Sequence, residues 1–165
     1  MTGNVEVVAP GAGEALWFLD TLMQAKLPSA RTDGALTVFE QLAPPGSATP
    51  THRHDATDEF FYILAGEVTF HSPAGARRCP GGSFVSVPRG VPHAFRVTSS
   101  EPARLLVLSA PGTFEGFVRA VSQPAPAASL PPAGPPPSPE AIAQLAALGA
   151  EHDVTLVGPP PGTAS

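Results

Sequence analysis

Turn-forming residues are closely spaced through the middle of this chain. Proline and glycine interrupt the sequence about every eight to twelve residues, which leaves room for short strands and excludes long helices. Apolar residues alternate with polar ones in Leu36–Leu42, whereas Phe60–Leu64 is continuously apolar and is predicted to be buried on both faces. We therefore predict an all-β sandwich or barrel. Its predicted strands are Leu36–Leu42, His52–His54, Phe60–Leu64, Val68–His71, Ala76–Cys79, Phe84–Val87, His93–Val97 and Ala103–Leu108.

The residues before these strands are expected to form an arm and one further element. Val5–Val8 is predicted to be a short strand within an otherwise irregular arm. Ala15–Leu27 has an apolar, aromatic first half, which favours a strand, with a short helix as the alternative.

The C-terminal third of the chain differs in composition and predicts two helices. Thr113 is a suitable N-cap, and apolar residues follow it at helical spacing. Residues 123–139 are mostly proline, alanine, serine and glycine, which predicts an extended linker. A second helix is expected from Ser138-Pro139 to about Glu151, followed by a short strand at Val154–Val157 and a frayed tail. The predicted organisation is a barrel with its arm and first helix over 1–122, a linker over 123–139, and a helix and tail over 140–165 that dock on the barrel or on a dimer partner.

Charge and cysteine content exclude several classes of function. The formal net charge is −5 and the densest basic pair is Arg77-Arg78, so no duplex-binding face is expected. A single cysteine, Cys79, excludes an internal disulfide, which fits a reducing compartment. No apolar run approaches the roughly 18 residues of a membrane span, and the N-terminus lacks the features of a secretory signal. We therefore expect a cytoplasmic protein that contacts neither nucleic acid nor membrane.

Three histidines and one glutamate are spaced as metal ligands. His52 and His54 are two residues apart, so on an extended strand both imidazoles leave the same face. Glu59 follows at the start of an apolar run, and His93 begins another strand after a Pro-Arg-Gly turn. Three imidazoles and one carboxylate can hold a first-row divalent metal and leave positions open for substrate. We predict one such ion per chain: Fe, Mn, Ni, Co, Cu or Zn.

Strand alternation indicates further residues near this site. Phe61 and Ile63 share a strand face with Glu59, and Phe95 shares one with His93. These three apolar side chains are therefore predicted to line a substrate pocket. A place in the hydrophobic core is the alternative for each of them.

Two motifs in this region resemble those of the cupin superfamily. The first, G-x5-H-x-H-x4-E-x6-G, is complete from Gly46 to Gly66. The second, G-x5-P-x-G-x2-H-x3-N, departs only at its last position, where Val97 replaces an asparagine often found in the family. That asparagine is not a ligand in the pattern, so its replacement leaves the metal site intact. The chain is also similar to small single-domain cupins described as quercetin-2,3-dioxygenase-like, through the segments D-E-F-F-Y-I-L-A-G-E, V-P-R-G-V-P-H-A-F and P-G-T-F-E-G-F.

The resemblance implies a fold, an assembly and a reaction. The fold is a double-stranded β-helix, the cupin jelly roll, with one or two short C-terminal α-helices. The assembly is a homodimer, since such proteins commonly pair through edge strands and N-terminal arms. The reaction is that of a metal-dependent dioxygenase, in which Glu59 is the catalytic base and an aromatic or enolisable small molecule reacts with dioxygen.

Fold and ligands do not fix the reaction, so two alternatives stay open. One is a non-oxidative isomerase, lyase or polyketide-cyclase-like enzyme of secondary metabolism, in which the metal acts as a Lewis acid. The other is a protein that binds a metal or a metabolite without turnover.

Overall fold

A computed structural model describes residues 4–162 of the chain. Within this range the chain is mostly β-sheet, with two α-helices near its C-terminal end and a 3-10 turn at Ser29–Thr32. The elements are β1 (Glu14–Phe18), β2 (Thr21–Leu27), β3 (Thr37–Ala43), β4 (Thr51–Arg53), β5 (Asp58–Ala65), β6 (Glu67–Ser72), β7 (Gly75–Pro80), β8 (Phe84–Val87), β9 (Ala94–Val97), β10 (Ala103–Ala110), α1 (Phe114–Val121), β11 (Gln123–Pro124), α2 (Pro139–Glu151) and β12 (Thr155–Gly158).

The strands form two antiparallel layers. The larger sheet has the order β11-β1-β2-β3-β10-β5-β8, and the smaller has the order β7-β6-β9. β4 joins the smaller layer through a bridge between His52 and His93, and β12 pairs with the other edge of β4. This is the predicted double-stranded β-helix with two short C-terminal helices, and the prediction of an all-β fold is confirmed.

Alternation along the central strands places the core between the two layers. Every second residue of β3 and of β10 is buried, which is the pattern of strands with one face toward a core. Phe39, Leu105 and Ile63 are fully buried there. Full burial of each such side chain contributes roughly 1.5–3 kcal/mol to folding.

The N-terminal region differs from its prediction in two ways. Ala15–Leu27 is not one element but a hairpin of β1 and β2, in which Leu19 takes a left-handed backbone conformation with φ of 56°. Val5–Val8 forms no strand, and Val5 and Val7 are 93% and 85% exposed. Apolar composition alone does not make a strand where the chain finds no neighbour to pair with.

The prediction that Phe60–Leu64 is buried on both faces is wrong. Phe61 and Ile63 point into the core, but Tyr62 and Leu64 on the outer face are 39% and 40% exposed. The described elements that pack on the outer side of this sheet lie over β1 and β2 instead, so this half of the sheet is covered on one side only.

The C-terminal elements pack against the barrel rather than extending from it. Ser138 caps α2 by accepting a hydrogen bond from the Ala141 amide, as the sequence predicts. The sequence predicts a frayed tail after Gly158, of which residues 163–165 lie outside the described range. Instead, Arg96 Nε donates to the Pro161 carbonyl at 3.0 Å, which holds the tail on β9 up to the end of the described range. Neither helix within residues 4–162 is long and apolar enough to cross a membrane.

The proline-rich segment between the helices is attached to β1 at two places, the edge of the strand and the side chain of Trp17. Gln123 and Pro124 pair with β1 as the short strand β11. Five residues later, the Ser129 carbonyl accepts a hydrogen bond from the indole of Trp17 at 2.8 Å. This mostly exposed segment is thus fixed to the barrel at two points.

Candidate metal centre

Four side chains from three parts of the fold converge inside the barrel. His52 lies in β4, His54 directly after it, Glu59 near the start of β5, and His93 directly before β9. One potential ligand atom from each lies within 4.8 Å of those of the other three. Solvent exposure is 9% for His52 and 2% for each of the others. The structure therefore brings together all four residues that the sequence predicts as ligands.

Backbone hydrogen bonds hold the histidines in register. The amide of His52 donates to the His93 carbonyl at 2.9 Å, and the amide of His93 donates back at 2.8 Å. Gly90 has φ of 80°, and its amide donates to the carbonyl of His54. The Pro-Arg-Gly turn therefore places His93 by pairing with the strand that carries the other two histidines.

Backbone carbonyls also select which imidazole nitrogen faces the centre. The Nδ1 atom of His52 lies 2.8 Å from the Pro50 carbonyl, and the Nδ1 atom of His93 lies 3.0 Å from the Val91 carbonyl. A carbonyl can only accept, so each Nδ1 carries a proton and each Nε2 is the nitrogen left to face the centre. This is the arrangement in which an outer partner fixes the tautomer of a metal-binding histidine.

The carboxylate of Glu59 lies close to two of the three histidines. Its Oε2 atom lies 3.0 Å from Nε2 of His93 and 3.5 Å from Nε2 of His54. Burial disfavours the carboxylate, but the neighbouring His54 and His93 hold the pKa of Glu59 well below its ordinary value. The carboxylate is therefore ionised in the folded protein.

The pKa values of His52, in β4, and His54, directly after β4, are shifted in opposite directions. Burial and the nearby His93 lower the pKa of His52 to about 4, so its ring is neutral near pH 7. Burial also opposes charge on His54, but the carboxylate of Glu59 outweighs it and raises the pKa of that ring. A metal ion would compete with this proton for His54.

The buried ring nitrogens of His54 indicate whether the four residues suit a metal ion. It is 2% exposed, yet neither ring nitrogen makes a hydrogen bond of ordinary geometry. A buried polar atom without a partner costs about 1–3 kcal/mol, and coordination of Nε2 would remove that cost for one of the two. Three neutral imidazoles and a carboxylate are a donor set that first-row divalent metals accept. The residues present therefore fit a metal ion.

Comparison with known proteins agrees with the metal-binding arrangement of the site. Residues 39–109 match the Cupin domain family, a stretch that contains all four candidate ligands. The chain belongs to the cupin superfamily. It is 30% identical over 118 residues to the quercetin 2,3-dioxygenase of Bacillus subtilis (strain 168), which covers 72% of this chain. That match spans 35% of the relative, so the chain corresponds to about a third of the length of the dioxygenase.

Solved structures support the same fold at lower identity. A cupin sugar phosphate isomerase from Silicibacter pomeroyi DSS-3 superposes with a TM-score of 0.57 at 17% identity, covering 64% of this chain and 75% of the isomerase. The polyketide cyclase RemF from Streptomyces resistomycificus superposes with a TM-score of 0.56 at 20% identity, covering 65% of this chain and 80% of the cyclase. At these identities the likeness establishes the fold.

The departure from the cupin motif at Val97 has a packing explanation. Val97 is 2% exposed, lies in the hydrophobic core, and pairs with Val68 of β6. Its backbone donates to the Ser47 carbonyl and accepts from the Gly46 amide. In this cupin the position therefore stabilises the core and the entry into the first motif.

A small apolar cavity adjoins the metal ligands. Its volume is about 30 Å³, which is room for roughly two water-sized molecules. Phe61 and Phe95 line it, as predicted from strand alternation. Ile63 does not line the cavity, so the prediction is wrong for this residue. It lies two residues further along β5 and is fully buried in the hydrophobic core. The lining residues are Phe18, Met23, Gln41, Thr49, His52, Glu59, Phe61, Phe95, Val107 and Phe114.

An aromatic cluster from α1 and β1 closes this cavity. Phe114 meets the ring of His54 edge-to-face, with ring centroids 5.4 Å apart. Phe18 packs edge-to-face against both Phe114 and Phe117, at 6.3 Å and 5.8 Å. Such contacts are each worth about 0.5–1.5 kcal/mol beyond area burial. Helix α1 thus forms an apolar cap over the metal ligands of this cupin.

Sequence reasoning missed the polar residues around the ligands. Gln41 is 4% exposed, lines the cavity and donates to Thr21 Oγ1 at 3.2 Å. The alternation of β3 could have placed it inward beside Phe39. Ser109 pairs with Glu59 in the sheet register, and its hydroxyl is fully buried without a hydrogen-bond partner. No local pattern marks Ser109, because its role depends on which strand pairs with β5.

Proposed function

We propose that this cupin is a metal-dependent dioxygenase that acts on an aromatic or enolisable small molecule. The observation that carries the proposal is the position of the Glu59 carboxylate, which lies between His54 and His93 at the wall of an apolar cavity. The similarity to a quercetin 2,3-dioxygenase over 72% of the chain supports the same class of reaction.

The four candidate ligands would hold the metal, and the chain around them would position the substrate. A bound first-row divalent metal would supply Lewis acidity and, when redox-active, a route for electrons to dioxygen. The carbonyls of Pro50 and Val91 keep His52 and His93 in the required tautomer. The apolar lining excludes water and strengthens each electrostatic contact inside.

Glu59 is the group that would accept a proton from the substrate. Its carboxylate is 2% exposed, is ionised, and has one oxygen facing two imidazoles. A substrate hydroxyl that reaches the cavity would pass its proton to a Glu59 oxygen, leaving an electron-rich enolate that dioxygen can attack. The Gln41 amide lines the same cavity and can orient a substrate oxygen.

The cavity volume bears on substrate size. About 30 Å³ accommodates dioxygen or the reacting end of a small enol, but not a whole flavonol. A flavonol would reach Glu59 only if Phe18 and Phe114 moved apart. Small enolisable compounds are therefore expected to be turned over with a lower KM than flavonols.

Oxygen consumption by reconstituted protein tests the proposal. Metal-free protein is loaded separately with Fe, Mn, Ni, Co, Cu or Zn and supplied with quercetin or with pentane-2,4-dione, a small enolisable diketone. We expect oxygen uptake with at least one redox-active metal. Glu59→Gln should lower kcat by about 10²-fold or more, after correction for metal content, because it removes the proton acceptor. The exposed carboxylate variant Glu101→Gln is the matched control.

The same assay separates the alternatives. Conversion of a substrate without oxygen uptake, especially with zinc, would replace the dioxygenase by a Lewis-acid isomerase, lyase or cyclase. Tight metal binding with no turnover of either compound under any metal would contradict the dioxygenase and favour a binding protein.

A further inference from the structure

A second and larger cavity lies where the two sheets are open to each other. β8 ends the larger sheet and β7 ends the smaller one, so each has only one neighbouring strand in its sheet. The cavity between them has a volume of about 360 Å³, within the range of about 300–1,000 Å³ that small-molecule sites occupy. It is twelve times as large as the cavity at the metal ligands and is lined by Phe70, His71, Ser72, Gly75, Arg77, Cys79, Phe84, Val85, Ser86, Val87, Pro88, Val91 and His93.

Arg77 of β7 is exposed to solvent and is among the residues that line the cavity, where it supplies positive charge. It is paired directly with Phe70, and residues opposite each other in an antiparallel pair share a face. Phe70 is 6% exposed and belongs to the core. The neighbouring Arg78 is on the other face, where it forms two hydrogen bonds to the carboxylate of Glu67.

Among the arginines of the described chain, Arg77 is distinguished by having neither a carboxylate partner nor a hydrogen bond to a residue beyond its sequence neighbour. Its one hydrogen bond is to the carbonyl of its neighbour Ala76, at 3.4 Å. The others bind carboxylates or carbonyls of other residues: Arg31, Arg53, Arg78, Arg89, Arg104 and Arg119 pair with carboxylates, and Arg96 donates to the carbonyls of Gly46 and Pro161.

The other lining residues are apolar or polar without a permanent charge, and they include the imidazoles of His71 and His93. No aspartate or glutamate lines the cavity. Burial raises the pKa of the Cys79 thiol, so it does not supply negative charge either. Apolar side chains from β8, among them Val85 and Val87, form one wall. The chemistry is that of an apolar cleft with one unpaired guanidinium.

We propose that the cleft between β7 and β8 binds a small carboxylate with an apolar body, such as an arylalkanoate. The apolar part would contact Val85 and Phe70, and the carboxylate would accept hydrogen bonds from Arg77, which suits a planar carboxylate. The lining distinguishes this cleft from the metal centre: His93 is the one candidate ligand that lines it, and its Nε2 atom faces Glu59, whereas His52, His54 and Glu59 do not line the cleft. The proposal does not depend on the proposed function.

Isothermal titration with 3-phenylpropionate and with its neutral amide, 3-phenylpropanamide, tests the proposal. Metal-free and zinc-loaded protein are both used. We expect the carboxylate to bind at least tenfold more tightly than the amide, with and without zinc. Amide-resonance shifts in a parallel NMR titration should concentrate in β7 and β8.

Variants of two adjacent arginines provide the control. Arg77→Gln should remove the preference for the carboxylate, whereas Arg78→Gln, the same change on the opposite face, should retain it. Val85→Phe, which places a ring in the cleft, should weaken binding of both compounds.

Four results would overturn the proposal. These are no binding of 3-phenylpropionate, equal binding of acid and amide, equal losses in the two arginine variants, and binding that requires zinc. Equal binding of acid and amide would mean that Arg77 only protects a sheet edge from pairing with another chain. A requirement for zinc would place the probe at the metal ligands.

Discussion

His52 and His54 are two residues apart, yet their surroundings move their pKa values in opposite directions. His52 is buried beside His93 with no carboxylate in hydrogen-bond contact, and burial dominates. His54 lies 3.5 Å from the Glu59 carboxylate, which outweighs burial. The difference comes from the position of one charge, because the two imidazoles are chemically identical and similarly buried.

The lowered pKa of His52 makes the metal-free protein sensitive to acid. The unfolded chain takes up the His52 proton near pH 6.5, but the folded protein takes it up only near pH 4. The contribution of the neutral His52 ring to the free energy of unfolding is therefore fully present above pH 6.5. It is lost as the pH falls toward 4, by roughly 3 kcal/mol for a shift of this size. His52→Gln should show a shallower loss between these pH values in urea unfolding of metal-free protein. Equal slopes for the two proteins would contradict this assignment.

Loss of one ligand should abolish metal retention. His54→Ala removes one of the four candidate ligands, an imidazole that faces Glu59 inside the barrel, and leaves the buried carboxylate with His93 as its remaining close partner. We expect the purified variant to retain less than about a tenth of the wild-type metal after dialysis, measured by elemental analysis, as removal of one of four ligands implies. His71→Ala, which removes a partly exposed imidazole outside the cluster, should retain metal normally. Equal metal content in the two variants would mean that the ligands are misassigned.

At the scale of elements, Asp153, two residues after the end of α2, fastens the C-terminal segment to the loop between His54 and Glu59. Asp153 has a left-handed backbone with φ of 63°. Its carboxylate accepts hydrogen bonds from the amides of Asp55 and Ala56 and from the hydroxyl of Thr57. These residues lie between His54 and Glu59, so the segment from α2 to β12 restrains the loop that joins two ligands.

Replacing Asp153 should loosen that loop. Asp153→Asn keeps the shape but removes the charge and one acceptor, so we expect a loss of about 2 kcal/mol in the free energy of unfolding. Hydrogen exchange at the amides of Asp55 and Ala56 should become faster in the variant. Glu151→Gln changes an exposed carboxylate at the end of the same helix and should alter neither quantity. Unchanged exchange in Asp153→Asn would show that the loop is held by other contacts.

The sequence predicted strands correctly where the alternation of apolar residues matches the pairing of the strand in the sheet. The alternation of Leu36–Leu42 predicts β3, which occupies Thr37–Ala43. It failed at Ala15–Leu27 because both arms of the hairpin are apolar and Leu19 adopts a turn conformation that its side chain does not favour. Sequence reasoning also missed the link from Asp153 to Thr57, since those residues are 96 positions apart.

At the scale of the whole molecule, the outer face of the larger sheet is divided into a covered and an open half. The proline-rich segment and the N-terminal arm cover the half formed by β1 and β2, where Leu22 is 2% exposed. The open half, formed around β5 and β8, carries Tyr62, Leu64 and Phe84, which are 39%, 40% and 62% exposed. Adjacent exposed apolar residues of this kind mark interaction surfaces.

We expect the open half to mediate pairing with a second copy of the chain. An isologous pair would bury the same side chains twice around a two-fold axis, and β8 is the edge strand of its sheet. Sedimentation should give a dimer for the wild type at micromolar concentration and a monomer for the double variant Tyr62→Asp, Phe84→Asp. Leu19→Asp, an equally apolar-to-acidic change in the β1–β2 turn, should remain dimeric. A wild-type monomer, or a dimer that survives the double change, would refute this interface.

The amino-acid order alone determined the strand content and the four candidate ligands, because both depend on short-range spacing: alternation along a strand, glycine and proline between strands, and two histidines on one face. Only the tertiary structure decided that Ile63 lies in the core, that Asp153 restrains the loop before Glu59, and that a large cleft opens between β7 and β8. The physical reason is that alternation states which residues share a face, whereas the elements packed on that face come from distant parts of the chain.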